Sequence, residues 1–220
     1  MYSLPVPSFP AEKVAYWYFR LNGCFTIPNF IVHPDTGGDS ARTEADLLAV
    51  RFPYRREGPL DRQYGRGDNS FEDCSEVLSE LPLLIIAEVT LGPLKLNGPW
   101  TDPDRRNLHR VLRAIGMHPP DEVEAVASAL YERRHYEGSS SEVRLFGIGN
   151  SGEDQFKQEH AGAVPILWDD ALRFIHARFV QHRRQKSDHQ YWDHWGRMLY
   201  KLAANNRDVE AFVRQVDLGS

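Results

Sequence analysis

Apolar residues recur at helical spacing over residues 11–22, where Val14, Ala15, Tyr18, Phe19 and Leu21 share one side. Ser8 or Pro10 introduces this helix and Asn22-Gly23 stops it. The period then shortens to two. CFTIPNFIVH alternates and is rich in β-formers, but Pro28 has no N–H to give a ladder, which predicts an edge position or a bulge. TGGDS turns the chain into TEADLLAVRF, a second strand with Glu44, Asp46, Leu48 and Val50 on one face and Ala45, Leu47, Ala49 and Arg51 on the other. LPLLIIAEV is nearly continuous in apolar character, as in a strand buried on both faces, and Glu88 emerges where it ends. Residues 53–80 between these strands are too long for a hairpin turn and predict a loop with a short helix near 73–80.

Beyond TLGPLKLNGPWT, Asp102 and Pro103 predict the start of a helix over 103–115, with Leu108, Val111, Leu112 and Ile115 as its stripe and Gly116 as its stop. Another helix is expected over 120–134. EVRLFGIGN and AVPILWDD supply strands, followed by helices from Asp169 or Asp170 to about Arg184, over about 188–204, and as a short piece at 207–216. The order predicts an α/β fold with three layers, a central mixed β-sheet flanked by helices. At 220 residues, with no linker-like composition, the expectation is one domain, 1–220, with a helical C-terminal extension at about 169–216.

Composition narrows the class. Hydrophobic residues are 41% and charged residues 26% of the chain, with five Trp, nine Tyr and eleven Phe for a core. No apolar run reaches the roughly 18 residues of a membrane span, and MYSLPVPSFPAEK has no secretory pattern, so a cytoplasmic protein without membrane contact is expected. Cys24 and Cys74 have no metal-ligand spacing and read as reduced, small apolar side chains. Net charge is −5, yet Arg51, Arg55, Arg56, Arg62 and Arg66 crowd one stretch, and Arg173 to Lys186 holds another basic cluster. Local placement decides nucleic-acid affinity, so the first stretch is a candidate backbone grip, with Phe52, Tyr54 and Tyr64 able to stack on bases.

The acids carry the chemistry. Glu12 on the first helix, Asp46 on the second strand and Glu88 at the end of the third can converge only at a shared sheet edge, and convergent carboxylates suit a hard divalent cation. AEKVAYWYFRLNG, TEADLLAV and IIAEVT in this order resemble the PD-(D/E)XK nuclease superfamily, in particular its Holliday-junction-resolvase-like and restriction-endonuclease-like branches, over roughly residues 9–91. The resemblance implies a restriction-endonuclease-like core and a nuclease that hydrolyses phosphodiester bonds with Mg2+ or Mn2+. Asp46, Glu88 and Glu12 would be the metal ligands, with Glu44 as an added acid. DNA is the expected partner in preference to RNA, in a setting such as bacterial defence or DNA repair.

One position departs from the family's pattern. Where the motif places Lys two residues after the Glu, this chain has Thr90, which offers a hydroxyl and no positive charge. Either another cation reaches the same point, with Lys95 the nearest candidate and Lys13 and Arg110 behind it, or the chain is a degenerate, non-catalytic nuclease fold serving as a nucleic-acid-binding or regulatory subunit, with a protein partner or as a homodimer. The histidines lack the spacing of an HExxH site, and Gly147 and Gly149 echo a phosphate loop without its Lys-Ser/Thr, so nucleotide binding there is rejected.

Overall fold

In the computed structural model, which describes residues 8–33, 43–55, 78–183, 186 and 189–219, the opening stripe becomes α1, Ala11–Leu21. Val14, Ala15, Trp17, Tyr18, Phe19 and Leu21 are its buried face. Strands β1, Phe25–Val32, β2, Thr43–Arg51, and β3, Leu83–Val89, follow as an antiparallel run. Among the described residues β1 lies at one end of the strand order, which agrees with Pro28 as an edge-strand residue. The pleat of β1 breaks beside it. Asn29 takes a left-handed conformation, φ 53°, at the step between the pairs Pro28–Leu47 and Phe30–Ala45, and therefore stands opposite Asp46.

The chain then crosses over through α2, Gly98–Thr101, a 3-10 turn at Pro103–Arg105, α3, Asn107–Ile115, and α4, Val123–Arg133. The helix expected from Pro103 starts four residues late. Asp102 does cap, but it caps the 3-10 turn, and Arg106 at φ 54° interrupts the helical path before Asn107. Three short elements escaped the pattern: α2 is a single turn in the stretch read as a loop, β4, His135–Glu137, is too brief to show a period, and α5, Glu153–Glu159, is polar except at Phe156. Strand β5, Glu142–Gly149, runs parallel to β3, and β6, Val164–Leu167, runs parallel to β5. Helices α6, Trp168–Gln181, α7, His194–Asn205, and α8, Val209–Gln215, close the chain.

The result is a mixed sheet between helices. Its six strands among the described residues run β1-β2-β3-β5-β4, with β6 also on β5. One cluster packs Leu47, Leu83, Ile85 and Ala87 of the sheet against α1, α6, α7 and α8. The other packs Leu48, Leu84, Ile86 and Leu145 against α3 and α4. Strict alternation along β2 fails at Asp46, since Ala45 joins the cluster of Leu48 and not that of Leu47 and Ala49. No helix among the described residues is long and apolar enough to cross a membrane. Cys24 is buried, whereas Cys74, the turn at 36–40 and residues 73–77 of the expected short helix lie outside the described residues.

The terminal helices are locked through one aspartate. Asp193 Oδ1 accepts the Gly196 N–H at 2.7 Å, capping α7, and the Trp17 Nε1–H of α1 at 3.1 Å. This cap explains why α7 begins at His194 and not near 188. The aromatic face of α7 is spent inside the molecule, with Trp195 on Phe9 and Tyr200 on Phe179. Two members of the basic cluster are likewise used internally: Arg173 joins Asp169 and Glu210, tying α6 to α8, and Arg178 is buried and donates to the Leu21 carbonyl, whereas Arg184 lies outside the described residues. Gly196 meets Trp17 so closely that a Cβ there would overlap the indole ring. Gly196→Ala is therefore expected to destabilise the fold by roughly 1–3 kcal/mol, and a melting temperature equal to that of wild type would contradict this packing.

Candidate active site

Three predicted acids reach one end of the sheet because of the directions of the elements that carry them. Glu12 is in the first turn of α1, Asp46 is near the start of β2, and Glu88 is near the end of β3. The last paired residues of the antiparallel β2–β3 ladder are Leu47 and Ala87, so Asp46 and Glu88 stand opposite each other one step beyond. The ladder does not simply fray there. The Asp46 side chain takes over, its Oδ2 accepting the Val89 N–H at 2.7 Å. This is also the carboxyl end of the parallel β3–β5–β6 portion, where open α/β sheets leave a crevice for ligands.

Glu88 is 6% exposed. Its carboxylate accepts the Trp100 Nε1–H at 2.7 Å and a hydrogen bond from the Asn97 side-chain amide. Burial first, and then the Asp46 charge, push Glu88 up from its ordinary 4.5 to about 7, although the Trp100 hydrogen bond and the Lys95 charge oppose the rise. Asp46 is also raised, chiefly by burial and further by Glu12 and Glu44, against the Val89 N–H and Lys95. Glu88 thus sits in the field of Asp46, and Asp46 in that of Glu12 and Glu44, with exposed Lys95 as a cation that both Asp46 and Glu88 feel.

Lys95 arrives through the loop after β3. Leu94 and Leu96 on either side of it are buried, which fixes the backbone and leaves the Lys95 side chain in solvent. Thr90 turns the chain: its Oγ1 accepts the Gly92 N–H at 3.1 Å. Trp100 and Asn97, which sequence reading did not single out, follow on the same segment. An indole donor a short loop after a strand-terminal Glu was the available signal.

Of the five arginines expected to grip nucleic acid, Arg51 is placed otherwise. It lies five residues beyond Asp46 on an extended strand, roughly 17 Å away, is 4% exposed, and donates through Nε to the Asn22 carbonyl at 3.3 Å. The error was to take adjacency in sequence to a strand for adjacency to one of its residues. Arg55 lies against Gly23 at that same far end. Arg56, Arg62 and Arg66, with Tyr64, lie outside the described residues. Of the alternative cations, Lys13 follows Glu12 in the first turn of α1, and Arg110 on α3 donates to the Arg105 carbonyl at 2.7 Å.

Among the described residues no three His, Cys, Asp or Glu side chains form a group that could hold a metal ion. The chain matches no protein-family model, no curated protein and no solved structure.

The raised Glu88 has a measurable consequence for stability. Because the fold disfavours its ionised form, the stability tied to this proton is whole below about pH 4.5 and is lost as pH rises through about 7, by a total on the order of 3 kcal/mol. Glu88→Gln cannot ionise. Without divalent cations it is expected to melt with wild type near pH 5 and above wild type at pH 8; coincident melting at pH 8 would show that Glu88 is not strained.

Proposed function

We propose that this protein is a divalent-metal-dependent nuclease of the PD-(D/E)XK type, with Asp46 and Glu88 as metal ligands and Lys95 in the role of the motif lysine. The observation that carries the reading is the placement of Asp46 opposite Glu88 at the carboxyl end of the parallel strands, with Lys95 acting on both. The helix, three antiparallel strands and parallel crossover strand bring the motif acids into the order the resemblance implies, which supports a restriction-endonuclease-like core.

The donor set fits a hard cation. Glu88 is buried and Asp46 half-buried, the Asp46 charge raises the Glu88 pKa, and Mg2+ is commonly bound by one or two carboxylates while water and substrate oxygens complete its shell. A cation held there would supply Lewis acidity toward the phosphate and make a water more acidic. Glu12 adds negative charge beside Asp46 and is suited to the outer water shell. Trp100 and Asn97 fix the Glu88 carboxylate, so that it presents its remaining lone pairs in one direction. Lys95 places a positive charge where a phosphate oxygen gains negative charge in the transition state. DNA is the favoured substrate. Lys13 beside Glu12 on α1 and Lys95 on the loop after β3 are the cations offered to it, and the buried Arg51 is not part of the grip.

A second reading has one observation in its favour. Thr90 brings no positive charge to the motif position, and its hydroxyl oxygen is engaged as the acceptor of the Gly92 N–H. A non-catalytic binding subunit would have that property.

Incubation with single-stranded DNA, duplex DNA and RNA, in Mg2+ and in Mn2+, separates the two. The nuclease reading predicts cleavage by wild type that Asp46→Ala and Glu88→Ala abolish while remaining folded by circular dichroism. Lys95→Ala is expected to lower kcat by about 100- to 1,000-fold. Wild type that cleaves nothing, or Asp46→Ala that cleaves fully, would overturn it.

A further inference from the structure

We propose that Gly149 and Thr90 are positioning residues that carry Lys95 to the acid pair, an inference that rests on the nuclease reading above. The segment that brings Lys95 is clipped to the end of β5 by reciprocal backbone hydrogen bonds. The Leu94 N–H donates to the Ser151 carbonyl at 2.9 Å, and the Asn150 N–H donates to the Gly92 carbonyl at 2.9 Å. Such an approach leaves no space for a side chain on β5. A Cβ on Gly149 would lie 2.9 Å from the Gly92 oxygen, 2.9 Å from the Leu94 nitrogen and 3.1 Å from the Leu94 Cα. All three are backbone atoms and cannot rotate away.

Gly147, two residues earlier and so on the same face of β5, continues this path. A Cβ on it would collide with the Phe156 ring at 2.6 Å and lie in ordinary contact with the Lys95 carbonyl at 3.5 Å, and Gly147 pairs with Glu88 in the parallel register. The backbone of Lys95 therefore crosses over the strand residue adjacent to the candidate ligand. Of the two glycines that echo a phosphate loop in the sequence, Gly149 makes room for the lysine-bearing segment and Gly147 for the ring of Phe156.

Thr90 fixes the other end of the segment. Its N–H donates to the Ile148 carbonyl at 2.9 Å, its carbonyl accepts the Trp168 Nε1–H at 2.8 Å, and its hydroxyl accepts the Gly92 N–H at 3.1 Å. A hydroxyl acceptor turns the chain within two residues, and a lysine at 90 could not do this. The residue that departs from the family's motif is thus the residue that starts the return of Lys95. Buried Leu94 and Leu96 then fix which way the Lys95 side chain leaves the backbone.

The test combines kinetics with crystal structures of Gly149→Ala, Thr90→Val and Thr90→Ser, alone and with Lys95→Ala. Gly149→Ala and Thr90→Val are expected to move the Lys95 Cα and to lower kcat on the order of 10- to 100-fold with little change in KM. Thr90→Ser, which keeps the acceptor, is expected to retain kcat. Neither disabling variant should cost more once Lys95 is alanine, because each acts through that side chain. Losses that multiply with Lys95→Ala, or a Lys95 that keeps its place in both disabling variants, would overturn the inference. Wild type that cleaves nothing refutes the nuclease reading instead, and the position of Lys95 in the variant structures then decides the present inference alone. Should Gly149→Ala not fold, the Thr90→Val and Thr90→Ser pair gives the same decision.

Discussion

The hydrogen bond from the Val89 N–H to the Asp46 carboxylate, 2.7 Å long, is the interaction on which the site depends. Between Leu47 and Arg51 the second strand pairs with the third through its backbone. One step farther a side chain takes over, at the point where Asn29 on the edge strand opposite Asp46 leaves the extended region. That exchange sets a carboxylate at the mouth of the sheet facing Glu88. A backbone carbonyl would satisfy Val89 equally well, but it would bring no charge. The amide bond also opposes the rise in the Asp46 pKa that burial imposes, and so favours the ionised acid a cation needs.

The remainder of the site is built on one segment, residues 90–100. It leaves the third strand, turns on Thr90, crosses the glycines of the fifth strand, presents Lys95 and ends with Asn97 and Trp100 on Glu88. A buried Glu88 whose pKa is raised by burial and by the Asp46 charge costs the fold stability, which is the common signature of a site arranged for binding and not for packing. The stability is recovered elsewhere. The helical layer of α1, α6 and α7 is fixed by Asp193, which caps one helix and holds the indole of another, and by the Arg173 pairs with Asp169 and Glu210.

Much of this was legible in the chain wherever a single element decided the outcome. The apolar run ending in Glu88 identified the third strand, Pro28 identified the edge, and the stripe from Val14 to Leu21 identified the first helix, because period and burial are local properties. Asp46 and Glu88 were readable for the same reason, each lying near the end of its strand that faces the site. What failed required three dimensions. Arg51 follows Asp46 by five residues but lies at the far end of an extended strand, with its guanidinium turned to Asn22. The roles of Thr90 and Gly149 depend on a loop crossing a strand more than fifty residues later in the chain. No periodicity records such a contact. The interruption at Arg106 likewise came from a left-handed backbone that Asp102-Pro103 gave no reason to expect.

The central claim is that the Asp46–Glu88 pair is a seat for a divalent cation, and calorimetric titration of Mn2+ into the protein tests it without reference to any substrate. Wild type should bind one ion per chain and Asp46→Ala, still folded, should lose that binding. Wild type that takes up no ion, or an Asp46→Ala variant that binds as tightly as wild type, would contradict the account.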